Sequence, residues 1–323
     1  MLNSRVLFAV TLISLLWFDA SATTATQDNR KRSASPNASA PQISSISRRA
    51  EQGDPEAEYQ LGALYMTGTN VPLDYRQALT WYRRAAEQNY PDAEFSLGYM
   101  YEQGEGVNRD YREAKRYYTA AAQQGHATAE NNLGSLYEHG EGVGKNLRQA
   151  AGWYRKAADQ GEVVAQCNLA SLYFRGKGIR RDYVQAATWF RAAAKSGYPP
   201  AQENLASMYY SGTGLKQDFS EAARWVRQAA LLGYARAQLD LGYLYEQGKG
   251  VPLDHVAAFM WYKIAAAAGE HRAGAQLKML TSVMTEAQIR QATAAAAELN
   301  ISTGTPSAAK GSASMGNSLF PKH

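Results

Sequence analysis

The sequence predicts an all-α protein: an α/α superhelical solenoid of about six 36-residue helix-turn-helix repeats with a capping helix region at each end. Three observations predict this class. The same residue types recur at a step of about 36 positions, apolar residues follow helical spacing within each step, and glycine clusters separate the helical segments. The recurring alanines are Ala57, Ala93, Ala129, Ala165, Ala201, Ala237 and Ala273.

The first helix of each unit, helix A, is predicted from an apolar stripe. In the unit that starts at residue 93, Ala93, Leu97 and Tyr101 follow one another at intervals of four and therefore share one helix face. Gly98 stands beside the leucine and is predicted to let a second backbone approach closely. Equivalent residues occur in the other units, so we expect the same helix in each.

The second helix, helix B, is predicted from its start and stop signals. A Gly-x-Gly turn at Gly104 and Gly106 follows helix A, and Asp110 is placed to cap the next helix. Helix B then carries small and aromatic residues and ends near Gly125. The predicted caps are Asp74, Asp110, Asn146, Asp182, Asp218 and Asp254.

The repeated pattern A-x-x-x-L-G-x-x-Y-x-x-G-x-G-V…D-x-x-x-A-x-x-W-Y-x-x-A-A-x-x-G resembles the Sel1-like repeat, a relative of the tetratricopeptide repeat, over six units from about Glu56 to Arg272. Small departures occur at Asn70, Ala170, Ala206 and Val226. The resemblance implies a solenoid that binds other proteins, usually without catalysis.

The N-terminal segment predicts export. Residues 1–22 resemble a signal peptide because Arg5 precedes an apolar run from Val6 to Phe18 and a small-residue site ends at Ala22. We expect cleavage after Ala22, with no stable membrane insertion afterwards; the alternative is an uncleaved anchor, for which the run is short. Behind such a signal, the resemblance implies a bacterial protein that is periplasmic or secreted.

The remaining domain boundaries follow from composition and register. Residues 23–41 are predicted to be a flexible linker, 42–300 the solenoid, and 301–323 a disordered tail. The predicted repeats are 57–92, 93–128, 129–164, 165–200, 201–236 and 237–272. Segments 42–53 and 273–300 are predicted capping helices, the second containing a capping box at Thr285 and Gln288. Two such ends predict a monomer.

Charge and motifs argue against several functional classes. The net charge is +5, but Lys and Arg are mixed with Glu and Asp on helix B, which predicts a solvated face and no nucleic-acid partner. No familiar catalytic, nucleotide or metal motif is present, so we expect no enzyme activity, cofactor or metal.

Cys167 is the only cysteine and is interpreted as a packing residue. The chain thus departs from secreted Sel1-like proteins that bind penicillin-like compounds and staple each repeat with a disulfide.

Function is predicted to lie where the repeats differ, on the helix A positions that line the concave surface in related arrays. Asn132, Asn168 and Asn204 form a predicted amide ladder, because asparagine offers both a donor and an acceptor to an extended peptide. Aromatic residues near both ends are predicted to receive apolar side chains. The predicted partner-binding residues are Phe95, Tyr99, Asn131, Asn132, Ser135, Asn168, Ser171, Phe174, Asn204, Ser207, Tyr210 and Tyr243. The same asparagines are also compatible with contacts between neighbouring helices.

Two classes of function, a binding protein and an enzyme, are therefore considered. The predicted function is a scaffold or regulator in the bacterial envelope that binds a peptide or domain of another protein. Alternatives are a secreted virulence-type factor that engages a host protein and, by family analogy alone, a hydrolase acting on cell-wall peptides or β-lactams.

Overall fold

The computed structural model describes residues 40–299, and this range contains fifteen α-helices and no strand. The predicted signal peptide, most of the predicted linker and the predicted tail lie outside the described residues. The helices are α1 Ala40–Glu51, α2 Pro55–Thr67, α3 Tyr75–Glu87, α4 Pro91–Gln103, α5 Tyr111–Gln123, α6 Ala127–His139, α7 Leu147–Asp159, α8 Val163–Arg175, α9 Tyr183–Lys195, α10 Pro199–Ser211, α11 Phe219–Leu231, α12 Ala235–Gln247, α13 His255–Ala267, α14 Ala273–Thr281 and α15 Glu286–Glu298.

Helices pack in the order of the chain, which confirms the predicted solenoid. Each even-numbered helix from α2 to α12 is a helix A, and it packs most extensively on the helix B that follows it. Each helix B then packs on the helix A of the next unit. At the ends, α1 covers α2, whereas α14 and α15 both pack on α13. The hydrophobic core therefore runs along the array as a chain of local clusters.

The predicted helix starts and turns are confirmed. All six predicted Asp or Asn caps precede helix B and accept backbone hydrogen bonds; Asp110 Oδ1, for example, accepts from the N–H groups of Arg112 at 2.8 Å and Glu113 at 3.2 Å. The capping box at Thr285 and Gln288 also forms. These local bonds satisfy N–H groups that a helix start leaves unpaired, so each unit has defined boundaries.

The glycine beside the helix A leucine meets an aromatic ring even more closely than the predicted second backbone. A Cβ on Gly134 would lie 2.7 Å from Tyr154 Cδ1, whereas the nearest backbone atom is 3.3 Å away. The Tyr154 hydroxyl reaches past the glycine and donates to Glu138 Oε2 at 2.8 Å. Equivalent bonds join Tyr118 to Glu102 and Tyr262 to Glu246.

In two units the residues that make this contact are replaced together. Where helix A carries Ala170 or Ala206 instead of glycine, helix B carries Phe190 or Val226 instead of tyrosine. The position of the accepting glutamate is then aromatic, Phe174 in the first case and Tyr210 in the second. Glycine and tyrosine therefore form one packing solution, joined by glutamate in three units and by Met66 in the first, and the alanine units use another. Because protein interiors are close-packed, a residue of one arrangement cannot be exchanged for its counterpart in the other without disturbing its neighbours.

A buried polar position on helix A divides the array into two halves. In the first three units a buried glutamate of helix A accepts from a glutamine at the end of helix B, as in the 2.8 Å bond between Gln124 Nε2 and Glu94 Oε2. In the last three units glutamine replaces the glutamate and donates to a backbone carbonyl, as Gln202 Nε2 does to Ala194 O at 3.2 Å. The half nearer the N-terminus thus holds carboxylates inside the array, and the other half holds amides at the same positions.

Arginines on helix B join neighbouring units. Arg83 Nη2 lies 2.8 Å from the hydroxyl of Tyr101 in the next helix A, and Arg227 Nη2 lies 2.7 Å from that of Tyr245. Arg155 and Tyr173 form the same pair. The basic residues of helix B therefore contribute contacts between repeats as well as a charged surface.

Candidate functional site

The predicted binding residues divide into an accessible set and a buried set. We call the face of helices A that carries them the helix A surface. Eight of these residues are partly exposed, namely Phe95, Tyr99, Asn132, Ser135, Phe174, Ser207, Tyr210 and Tyr243. Four are buried, namely Asn131, Asn168, Ser171 and Asn204. The two ends of the surface are thus more open than its middle.

The asparagines in the middle bind one another across neighbouring helices. Asn168 Nδ2 donates to Asn131 Oδ1 at 3.0 Å, and Asn131 Nδ2 donates to Asn132 Oδ1 at 3.2 Å. These bonds connect α6 to α8, so much of the amide capacity is used inside the protein. Asn132 is the partly exposed member, and an amide ladder that pairs with a peptide stays a prediction centred on it.

Cys167 lies in the same closed middle. Its side chain is fully buried. Burial raises the pKa of the Cys167 thiol well above its usual range, although a hydrogen bond from Asn204 opposes the shift. Because the thiolate is the reactive form, this cysteine is a packing residue rather than a nucleophile.

A charged cluster lies beneath the helix A surface at its C-terminal end. Arg236 Nε lies 2.6 Å from Glu203 Oε1, and Asp240 is completely buried in the same helix, α12. Burial, followed by the charge of Asp240, raises the pKa of Glu203 to about 8, while Arg236 and Arg272 oppose the shift. Glu203 is therefore protonated more readily in the folded protein than in the unfolded chain.

This shift predicts a pH-dependent stability. The pKa of Glu203 is raised from 4.5 to about 8 on folding. Proton binding by this carboxyl group therefore stabilises the folded protein fully below pH 4.5, and this stabilisation is lost as the pH rises towards 8. We expect Glu203→Gln to remove this loss: the stability of the variant relative to the wild type rises by up to ~1.4 kcal/mol per pH unit in that window. Urea unfolding at several pH values measures it, and the exposed Glu87→Gln serves as control. Parallel pH profiles for wild type and Glu203→Gln would contradict the assignment.

A cavity of about 320 Å³ opens at the N-terminal end of the helix A surface, between α2 and α4. Its wall combines aromatic rings with carboxylates. Tyr59 and Tyr90 lie with ring centroids 5.4 Å apart, and Phe95 stacks on His126 at 4.7 Å. His126 Nε2 lies 3.2 Å from Asp92 Oδ1, while its Nδ1 accepts from the N–H of Ala129. These contacts hold the aromatic wall in place.

The two predicted aromatic residues at the opposite end already surround a cation of this chain. Lys249 Nζ lies 2.6 Å from the hydroxyl of Tyr210 and stands over the rings of Tyr210, Phe219 and Tyr243 at 5.0, 5.6 and 5.9 Å. Sequence reasoning missed this lysine because it is in a turn and not on helix A. Here the aromatic side chains bind a lysine rather than offering an empty apolar site.

Between residues 40 and 299, no group of three or more His, Cys, Asp or Glu side chains is placed to hold a metal ion. None of the helices in that range has the length and apolar character needed to cross a membrane.

Comparison with known proteins places these observations in a family. The family model described as Sel1 repeat matches six consecutive stretches, residues 55–90, 91–126, 127–162, 163–198, 199–234 and 235–270. Each matched stretch begins two residues before the unit predicted from the alanine register, because the family unit starts at the first residue of helix A. No curated protein matches the chain.

One solved structure supports the same family, and a second similar chain is also known. The chain is 37% identical to a Sel1 repeat protein from Oxalobacter formigenes, with 73% of this chain and 68% of that chain covered and a TM-score of 0.67. It is 25% identical to c5321, a protective antigen present in uropathogenic Escherichia coli strains that displays an SLR fold, with 80% and 79% covered and a TM-score of 0.45.

Proposed function

Because the chain belongs to the Sel1 repeat family, we propose that it is a non-catalytic scaffold that holds an extended segment of another envelope protein on its helix A surface. Proteins of this family generally mediate protein interactions. Stacked repeats suit this task because they create a long continuous surface in which each unit contributes a few variable side chains. The residues that differ among the repeats, rather than those that recur, then determine which partner binds.

The cavity between α2 and α4 is the observation that carries the proposal. Its lining residues run along most of α2, from Glu56 to Thr67, which supports contact with several residues of a bound segment. Partly exposed rings such as Tyr59 and Phe95 supply contact area without much loss of side-chain entropy. Beyond it, Tyr99, Asn132 and Ser135 continue the accessible surface.

Placement in the envelope rests on the N-terminal sequence. The apolar run from Val6 to Phe18 and the small-residue site that ends at Ala22 support export and cleavage. A partner in the periplasm would meet the helix A surface as an exposed loop or terminus. A secreted protein that meets a host partner differs from this proposal in location, and recovery from the culture medium would distinguish it.

A crosslinking experiment in the native bacterium tests the scaffold. A photo-crosslinking amino acid at Asn132, the accessible asparagine of the predicted ladder, is expected to capture a defined protein from the periplasmic fraction. The same amino acid at the exposed Arg148 on helix B serves as control, because that residue lies on the other helix of the same unit. A product formed at Asn132 and absent at Arg148, identified by mass spectrometry, supports the proposal. Equal background at both positions contradicts it.

A further inference from the structure

The N-terminal cavity and the Lys249 site occupy the same place in the repeat, four units apart. Glu105 in the turn after α4 is the counterpart of Lys249 in the turn after α12. Tyr75 at the start of α3 is likewise the counterpart of Phe219 at the start of α11. Equivalent backbone positions thus carry a glutamate at one end of the array and a lysine at the other.

At the C-terminal end this place is a completed cation site. Lys249 donates to the hydroxyl of Tyr210 at 2.6 Å and stands over three aromatic rings. A cation within about 6 Å of a ring centroid is attracted by the negative face of the ring. Of these three rings, Phe219 has its counterpart Tyr75 in the wall of the N-terminal cavity, whereas Met66 stands there in place of Tyr210.

At the N-terminal end one buried carboxylate oxygen, that of Glu105, lacks such a partner. Glu105 Oε2 is buried in the cavity wall and accepts no hydrogen bond from the described residues. Glu56 and Asp92 also line the cavity, but Glu56 pairs with Arg49 and Asp92 with His126; the described lining residues include neither lysine nor arginine. Burial, and then the charges of Asp92 and Glu56, raise the pKa of Tyr90, which shows a negative field at the wall.

We propose that this cavity binds the basic side chain, lysine or arginine, of the partner segment, as an external counterpart of Lys249. The inference rests on the proposed function and names the chemistry that its N-terminal end selects. Leaving a buried polar atom without a partner is costly, so a cation that enters the cavity compensates Glu105 Oε2 while its aliphatic part covers Tyr59 and Phe95. A cavity of about 320 Å³ lies within the size range of pockets that take a small ligand.

The test is an NMR titration of the full chain with short peptides of defined charge. The probes are N-acetylated, C-amidated glycine peptides with a central lysine, arginine or norleucine. We expect the lysine and arginine peptides to shift the resonances of Tyr59 and Phe95, with binding of the norleucine peptide at least about fivefold weaker. Added salt is expected to weaken the binding of the two basic peptides. Equal binding of norleucine and lysine peptides, or no binding of either basic peptide, would overturn the proposal.

Matched variants identify the carboxylate. Glu105→Lys places a lysine at the position that corresponds to Lys249, so its own lysine is expected to occupy the cavity and abolish peptide binding. Glu141→Lys places the same change one repeat further along and is expected to leave binding intact. Glu105→Gln, which removes the charge without adding length, is expected to weaken binding at least about fivefold; circular dichroism confirms that each variant is folded. Equal affinity for Glu105→Gln and wild type would overturn the role of Glu105. Capture at Asn132 without peptide binding would leave the scaffold standing and refute only this inference.

Discussion

Replacing Gly178 by alanine is expected to lower the free energy of unfolding by about 2–5 kcal/mol. Gly178 is the second turn glycine of its unit and has φ of +77°. A Cβ at this position would lie 2.3 Å from the backbone oxygen of Leu147, in the first turn of helix B of the preceding unit. Backbone at a helix start cannot move aside as a flexible side chain does, so the substitution forces two repeats apart.

Gly161→Ala separates this clash from conformational strain. Gly161 also has a left-handed backbone, with φ of +88°, but an added Cβ would meet nothing within 4 Å. We therefore expect only the backbone cost of about 1–2 kcal/mol for that variant. Urea unfolding measures both, and hydrogen exchange is expected to show loss of protection in α7 and α9 together for Gly178→Ala. Equal costs for the two variants would show that contact between units is not the cause.

The fold was predictable because its signals are local and repeated. Each helix B begins at an Asp or Asn whose side chain caps it, and Asp110 needs only its own next residues to do so. The first turn glycine likewise depends on the backbone of its own turn. Six repetitions of such signals make chance agreement improbable, and they fix the length of every unit.

The site was predicted less well because side-chain position depends on neighbours that are distant in sequence. Asn168 is placed on helix A by the repeat register, but its bond to Asn131 of the preceding unit makes it part of the interior. Tyr210 is placed on the surface by the same register, yet Lys249 from the following turn stands over it. The repeat register alone predicts on which face of a helix a residue lies, but it does not predict which side chain of another unit covers that residue.

One signal in the sequence does carry this information, namely substitutions that occur together. Gly134, Glu138 and Tyr154 in one unit become Ala170, Phe174 and Phe190 in the next. Comparing repeats within one chain therefore indicates which positions touch: glycine and tyrosine are kept or replaced together in all six units, although Met66 replaces the glutamate in the first. Read in this way, the coupled positions belong to packing, and the remaining variable positions are the better candidates for binding.

That coupling predicts a large and reversible effect. Gly134→Ala is expected to lower the free energy of unfolding by about 1–3 kcal/mol, because its Cβ would meet the ring of Tyr154 at 2.7 Å. The ring has little freedom to retreat, since its hydroxyl is bonded to Glu138. Gly152→Ala is the matched control: its Cβ would meet nothing within 4 Å, and in a helix interior alanine is expected to stabilise by about 0.5–1 kcal/mol.

Transplanting the whole set is expected to recover most of the loss. The triple variant Gly134→Ala, Glu138→Phe and Tyr154→Phe recreates the combination that the following unit uses, in which no hydroxyl holds the ring against helix A. A cycle of single, double and triple variants, each measured by urea unfolding, is expected to show a favourable interaction energy among the three substitutions. If the three costs simply add, the shared changes between units reflect independent positions and the proposed packing set does not exist.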